Sequence, residues 1–339
     1  MPSAGIIRPS AIPEPVVLMK SCLLIIQRKF YSFETQIAQE LRKRGYEIEC
    51  ANDEYPDSML GRIIGKLQIP FIFYWTRREF RRRFLNGRRY DLVLIFKGRG
   101  LSVSLVDELR AVSSRVVGYN WDSFSVNPSA RSWWHRCTSY FTFDYADAER
   151  YGIPVCELFS AAEPIEPVVT RVYEVSAVFR NHSGRLRHLD EVLTILAPRR
   201  YAVSVFERDF FTFVYNLVRS PRLYWKYRAS ISFKSLPYSE YSRLLRESEF
   251  VVDYANDCQT GLTMRCFEAL SARTKLITNN PRIAESAFFA STDYIVHPVG
   301  ADPFALRHQY GEKRRVSFAS RPRSIADFIS DLVSGRGNH

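Results

Sequence analysis

The sequence predicts an α/β protein of two Rossmann-like domains whose parallel sheets face a cleft. Three observations carry that expectation. Apolar runs of strand length alternate with helix-period segments almost from end to end. The alternation breaks once, at "SAAEPIEPVVTRVYE" (Ser160–Glu174), which holds Pro164 and Pro167 and no helical period, and then restarts. The length of 339 residues suits two domains of about 150 residues each. The expected boundaries are a loose arm at 1–17, domains at 18–162 and 163–320, and a final helix and tail at 321–339. Distance from the second core would let that last helix return to the first domain.

"CLLII" (Cys22–Ile26) is the first strand, and Phe33, Ile37 and Leu41 recur at helical spacing before the stop at Gly45. "EIEC" is the second strand. A long basic region follows, read as helix through "FIFYWTRREFRRRFLNGRR" (Phe71–Arg89). Then come the strand "YDLVLIFKG", the helix "VSLVDELRAV" and the strands "RVVGYNW" and "SYFTFDY", with Asp144 and Asp147 expected to cap the helix leading to Tyr151. After the break the strands are "YEVSAVF", "RYAVSVF", "ASISFKS", "EFVVDY" and "KLITNN". They alternate with a helix from Arg185, an aromatic helix ending at Arg219, "YSEYSRLLRES" and the segment around Arg265. "SIADFISDLV" closes the chain with Ser324 as N-cap and Asp327 at N3.

Composition narrows the function classes. The apolar runs fall far short of the ~20 residues that cross a bilayer, and the first seventeen residues, with four prolines, do not read as a secretory signal. Six cysteines without a C-x-x-C pair indicate reduced thiols, and six scattered histidines offer no zinc spacing. The net charge is +12, from nine lysines and 39 arginines against 36 acids. Arginine forks suit phosphates and carboxylates, although the same bias follows from a GC-rich genome.

"DCQTGLT" sits where a parallel sheet binds ligands, at a strand's carboxyl end ahead of a helix N-terminus. Gly261 would admit a phosphate close to the backbone, Thr260 and Thr263 can donate hydroxyls, Arg265 adds a full charge, and Glu268 can accept two ribose hydroxyls. The bland alternative is a capped helix with a surface Arg–Glu pair. Arg180 and Arg185, with His182 and Ser183 between them, either grip a diphosphate or form an ordinary basic turn. Lys234, Leu236 and Pro237 follow a strand one βα unit earlier, where a nucleobase would rest. Asp122, beside Trp121, is the candidate base for an acceptor hydroxyl, or a turn residue. Lys97 and Arg99 face the expected cleft on the same side. The basic–aromatic segment reads either as a solvated face over a buried aromatic stripe or as a surface, Arg77–Arg89, that meets anionic lipid. No RNP-like, helix-turn-helix or zinc pattern points to nucleic acid.

"QTGLTMRCFEALSARTKLITNN" resembles the C-terminal signature of bacterial polysaccharide-assembly glycosyltransferases of the GT-B fold, Q-[ST]-G-L-T-M-R-x-x-E-A-L-G-x-x-K-K-L-I-T-T-N. Gln259, Gly261, Leu262, Thr263, Met264, Arg265, Glu268 and most later positions match, while Ser271, Thr274 and Asn279 depart. "YDLVLIFKGRGLS", "VVGYNWDSFSVNP", "YFTFDYADAERYGIPVCELF" and "YEVSAVFRNHSGR" resemble further stretches of the family in order, with Phe179 and Arg180 replacing Val-Gly. The resemblance implies a GT-B-like fold and transfer of a sugar from a nucleotide-sugar donor, held by the second domain, to a glycan or lipid-linked acceptor held by the first. It makes Gln259, Thr260, Gly261, Leu262, Thr263, Arg265 and Glu268 donor-binding. Many retaining members carry a second glutamate eight positions before Glu268, where this chain has Thr260, so the anomeric outcome stays open. No D-x-D occurs; neither metal nor resident cofactor is expected, and arginines would meet the leaving diphosphate. The expected location is the cytoplasm, or its face of the inner membrane. A non-catalytic nucleotide- or glycan-binding module on the same fold is the alternative, and a basic nucleic-acid binder the third reading.

Overall fold

The computed structural model describes residues 19–27, 33–56, 58, 70–161, 170–182, 184–256 and 258–335. The N-terminal arm, the centre of the proline-bearing linker, Ser183 and the last four residues lie outside them. The first sheet comprises β1 (Lys20–Ile25), β2 (Tyr46–Ala51), β3 (Leu92–Phe96), β4 (Val116–Asn120) and β5 (Ser139–Thr142). Its order is β2-β1-β3-β4-β5, and every pairing is parallel. "LVLIF" and "VVGYN" are buried at every position, because helices cover both faces of a parallel sheet and leave no polar side to alternate with. Among the described residues, the helices of this half are α1 (Phe33–Lys43), α2 (Phe71–Phe80), α3 (Val103–Val112), α4 (Ala130–Trp133) and α5 (Tyr145–Tyr151).

The second sheet holds β6 (Tyr173–Arg180), β7 (Tyr201–Phe206), β8 (Ile231–Ser232), β9 (Ser248–Asp253), β10 (Lys275–Thr278) and β11 (Tyr294–Val296). Its order is β11-β10-β9-β6-β7-β8, again all parallel. Counted from β6 this is the doubly wound order, and it reverses between β6 and β9, where such sheets open a crevice for ligands. Between the strands run α6 (Arg185–Leu196), α7 (Phe210–Arg219), α8 (Pro221–Lys226), α9 (Tyr238–Arg246), α10 (Met264–Ser271) and α11 (Pro303–Lys313). Two parallel sheets of this kind make the fold GT-B-like. One apolar core crosses between the halves, joining Phe143 and Tyr145 of the first to Leu262, Phe267 and Ile283 of the second.

The chain ends in α12 (Ile325–Ser334), started by a reciprocal capping box between Ser324 and Asp327. Phe328 on α12 is fully buried, 4.6 Å from the Phe159 ring and 4.9 Å from the Tyr119 ring. Arg44 at the end of α1 donates to the Ala326 carbonyl at 2.7 Å. Arg323, just before the helix, donates to Asp331 at 2.7 Å. The last helix of the chain therefore completes the core of the first sheet.

The basic–aromatic segment departs from the expected helix through Arg89. α2 stops at Phe80 and a π-helical turn, Arg81–Leu85, follows, with Asn86 extended and Gly87 at φ 69°. Phe84 and Leu85 in this turn are both buried. No described helix is long and apolar enough to cross a membrane.

Phe328→Ala should destabilise the protein by about 3–5 kcal/mol, the range for a buried aromatic truncated in a core. Ser324→Ala should cost about 1 kcal/mol through the lost cap. Urea unfolding of the full chain measures both.

Candidate functional site

Asp253 ends β9 and Arg180 ends β6, so the two flank the point where the strand order reverses. Arg185 opens α6 after Gly184, whose φ of 83° turns the chain into the helix. Arg265 is the second residue of α10, and its Nη1 lies 3.3 Å from Asp253 Oδ1. Arg185 is 8% exposed; its Nη1 reaches the Arg180 carbonyl at 3.4 Å, and its Nε is buried without a partner. Burial and the charge of Arg265 push the Arg185 guanidinium down to about 10. Burial also pulls against Arg265, but Asp253, Tyr241 and Glu268 prevail and hold it above its ordinary value. Desolvation and the guanidiniums of Arg185, Arg180 and Arg265 push His182 down to about 4. Arg265 thus engages Asp253 while the buried Arg185 beside it has no acidic partner of its own among the described residues, an excess of positive charge suited to a polyanion.

Glu268 lies one turn into α10 and is 8% exposed. Burial pushes its carboxyl up to about 7, against the pull of Tyr241, Arg265 and Tyr238. The Tyr241 hydroxyl beside it is buried. A carboxyl with nearby hydroxyls, one turn from an anion-favouring arginine, matches a ribose next to a phosphate.

The loop leading into α10 does something other than the sequence suggested. Its amides were expected at a phosphate, yet Thr260 N and Gly261 N donate to Asp144 Oδ2 of the first half, at 2.6 and 3.3 Å. Thr260 Oγ1 accepts from Ala146 N at 2.8 Å. Added to Gly261, a Cβ would fall 2.4 Å from the Phe143 ring, so the glycine permits contact between the halves rather than access for a ligand. Leu262 is buried in the shared core. Thr263 is the N-cap of α10 but makes no side-chain cap, its hydroxyl lying 3.7 Å from Cys266 Sγ. Gln259 Nε2 reaches Asp122 Oδ1 at 3.3 Å, and Ser123 and Ser125 both donate to the Cys258 carbonyl. Of the motif residues, Gln259, Thr260, Gly261 and Leu262 form a joint, while Arg265 faces Asp253 and Glu268 lies beside Tyr241 and Tyr238.

On the first half, Asp122 is not a free base. Its Oδ2 pairs with Lys97 Nζ at 2.5 Å while Oδ1 meets Gln259. Lys97 adopts φ 65°, a left-handed conformation that costs a non-glycine residue energy and marks a position fixed by its surroundings. Arg99 donates its amide to Asp53 at 3.3 Å, with Nη1 3.7 Å from Glu54. Trp121 was expected as a platform for a sugar; its ring instead lies 5.1 Å from Phe96 and is only 9% exposed, so it belongs to the core. Lys234 is exposed just beyond β8, tied only by its amide to Ser232 Oγ. On the Arg77–Arg89 surface five arginines share three carboxylates. Arg77 and Arg81 pair with Glu108, Arg82 and Arg83 with Glu79, and Arg88 with Glu49.

Sequence reasoning missed Asp253 and the tyrosines Tyr238 and Tyr241. A carboxylate closing the strand just before the motif, and tyrosines at i, i+3 opening the preceding helix, were the signals available. It read Asp144 as a helix cap, which it is, accepting from Asp147 N at 3.0 Å; its second oxygen's role across the interface had no local signature.

No protein-family model and no curated protein matches the chain. Several solved structures share its fold. A glycosyltransferase of avilamycin A biosynthesis, AviGT4, aligns with TM-score 0.59 and 12% identity, over 93% of this chain and 96% of its own. A UDP-GlcNAc 2-epimerase from Methanocaldococcus jannaschii gives 0.55 and 13%, over 93% and 99%. The lipopolysaccharide outer core galactosyltransferase WaaB gives 0.52 and 11%, over 93% and 99%. At these identities the likeness establishes the fold alone.

Two outcomes test the geometry. Asp144→Ala would strand the amides of Thr260, Gly261 and Asp147, and should lower stability by about 3 kcal/mol in urea unfolding. For Glu268, the folded state holds the proton more tightly than the unfolded chain. Its stabilising effect is therefore complete at acid pH and disappears as pH rises through about 7. Glu268→Gln should match wild type near pH 4.5 and exceed it at pH 8 by roughly 3 kcal/mol, at ~1.36 kcal/mol per pKa unit. Melting both proteins across that range reads the difference.

Proposed function

We propose that this protein is a nucleotide-sugar-dependent glycosyltransferase that extends a glycan or lipid-linked acceptor in bacterial surface polysaccharide or lipopolysaccharide assembly, in the cytoplasm or on the inner face of the membrane. The observation that carries the reading is the pair Arg185 and Arg265 at the switch point of the second sheet, Arg265 bridged to Asp253 and Arg185 without an acidic partner among the described residues, with Glu268 one turn beyond. A diphosphate meets the guanidiniums, the adjoining ribose meets Glu268, and the base lies toward Lys234 and Tyr238 at the end of β8. Neighbours on this fold that act on sugar nucleotides, including an epimerase solved with UDP-GlcNAc and UDP, support a donor of that class.

In the reaction the acceptor hydroxyl's oxygen bonds to the anomeric carbon as that carbon's bond to the diphosphate oxygen breaks, and the hydroxyl's proton passes to the departing diphosphate. Charge develops on the departing diphosphate, and the two guanidiniums at the switch point stabilise it, so no resident metal or cofactor is needed in the scheme. Lys97 and Arg99 lie on the acceptor side. With both oxygens engaged, Asp122 holds Lys97 and Gln259 in register across the cleft instead of taking the acceptor's proton.

UDP, GDP, CMP and dTDP compounds should be screened by thermal shift. The true donor nucleotide should raise the melting point, since it binds only the folded state. Arg185→Ala, Arg265→Ala and Glu268→Ala should each abolish the shift while staying folded. Retention of the shift in all three would refute the site. Donor consumption that requires an acceptor identifies a transferase. Conversion of the donor alone identifies an epimerase or hydrolase, and binding without turnover identifies a non-catalytic module.

A further inference from the structure

Helix α7, "FFTFVYNLVR", is amphipathic but faces the wrong way. Its polar residues turn inward: Thr212 caps onto Asp209, with the amide at 2.8 Å and the hydroxyl at 2.9 Å, and Asn216 Nδ2 approaches both oxygens of the buried Glu207 at 3.4 Å. The outward stripe is Phe210, Phe211, Val214, Tyr215 and Val218, at i, i+1, i+4, i+5 and i+8. Phe211 is 85% exposed and Val218 76%, and none of the ten residues of α7 is buried. On the next helix, α8, Trp225 is 71% exposed, with the Arg228 guanidinium 4.7 Å above its ring. A groove of about 680 Å³ runs between the two helices and β8, lined by Phe213, Leu217, Trp225 and Phe233 among others, with Arg222 and Arg228 in its wall. Monomeric soluble surfaces rarely leave so many large apolar side chains side by side without a partner.

Charge identifies the partner. From Arg208 to Arg228 the chain carries five cationic residues and one acid, Asp209, which Arg208 already engages at 2.5 Å. Lys226 pairs with Asp190, while Arg219, Arg222 and Arg228 have no acidic partner among the described residues. A second copy of this face would oppose arginine to arginine, an unfavourable isologous contact. A single-stranded nucleic acid would use stacked rings but gain little from Val214 and Val218. An anionic bilayer satisfies both halves of the pattern, with apolar side chains in the headgroup–acyl boundary and guanidiniums among the phosphates.

We propose that the α7–α8 face of the second domain, rather than Arg77–Arg89 of the first, seats the protein on an anionic membrane surface. The proposal does not depend on the donor site, so either can fail alone. Flotation of the full chain with vesicles of phosphatidylcholine, with and without phosphatidylglycerol, tests it. Wild type should float with the anionic vesicles and release as salt rises. Phe211→Glu with Val218→Glu, both at highly exposed positions, should lower the bound fraction about tenfold with melting point and nucleotide shift unchanged. Arg82→Glu with Arg83→Glu should still bind. The proposal is overturned if wild type does not float, or if the Arg82/Arg83 variant is the one that loses binding. It is equally overturned if sedimentation shows a dimer that the Phe211/Val218 variant dissolves.

Discussion

The carboxylate of Asp144, seated on the amides of Thr260 and Gly261, is the contact on which the arrangement of the two halves depends. Parallel sheets concentrate their loops at the carboxyl ends of the strands, so two such sheets meet through loops, the parts least able to hold a geometry by themselves. Here a helix-leading loop, which ordinarily attracts an anion to its free N–H groups, receives one from the opposite half. Phe143 fills the space left by Gly261, and an Arg282–Glu149 pair adds a bidentate contact at the rim. The joint holds Arg265 and Glu268, the next residues of the same segment, at a fixed place in the crevice.

That crevice is built at the expense of stability. Arg185 is buried with an unpartnered Nε, and Glu268 is held where its charged form is disfavoured. His188 on α6 lies beneath with neither ring nitrogen paired, pushed down to about 4 by burial and by His297. Each of these groups would be better placed in water, and only the surrounding fold keeps them where they are. In the second half such groups lie at the carboxyl end of the sheet, around the switch point between β6 and β9. This is the pattern of a rigid scaffold carrying a polar, ligand-directed surface.

Fold and function separate cleanly in this molecule. Neighbours that share nearly its whole length at 11–13% identity include enzymes that transfer sugars and one that epimerises a sugar nucleotide. Chain topology therefore says little about the reaction, and the positions of a few charged side chains say most. The outward apolar stripe of α7 is a separate matter again, because it contributes neither to the core nor to the crevice.

Much of this was legible in the sequence because it is periodic or local. β3, β4 and β9 are apolar runs that only a doubly covered sheet buries, and the Ser324–Asp327 cap and the start of α10 follow from neighbours within four residues. The placement of Arg185, Arg265 and Glu268 at the carboxyl end of the second sheet was legible too, since it follows from their position relative to a strand end. What only the tertiary structure decided are relations between residues far apart in the chain. Asp144 meets Thr260 across 116 positions, Gln259 meets Asp122 across 137, and Phe328 reaches back to Tyr119 and Phe159. A helical period shows that α7 has an apolar face but not which way it points; that is set by Asp209 and Glu207, whose polar demands turn Thr212 and Asn216 inward. Periodicity is a property of the backbone and can be read along the chain, whereas the partner of a buried carboxylate is a property of the folded space around it.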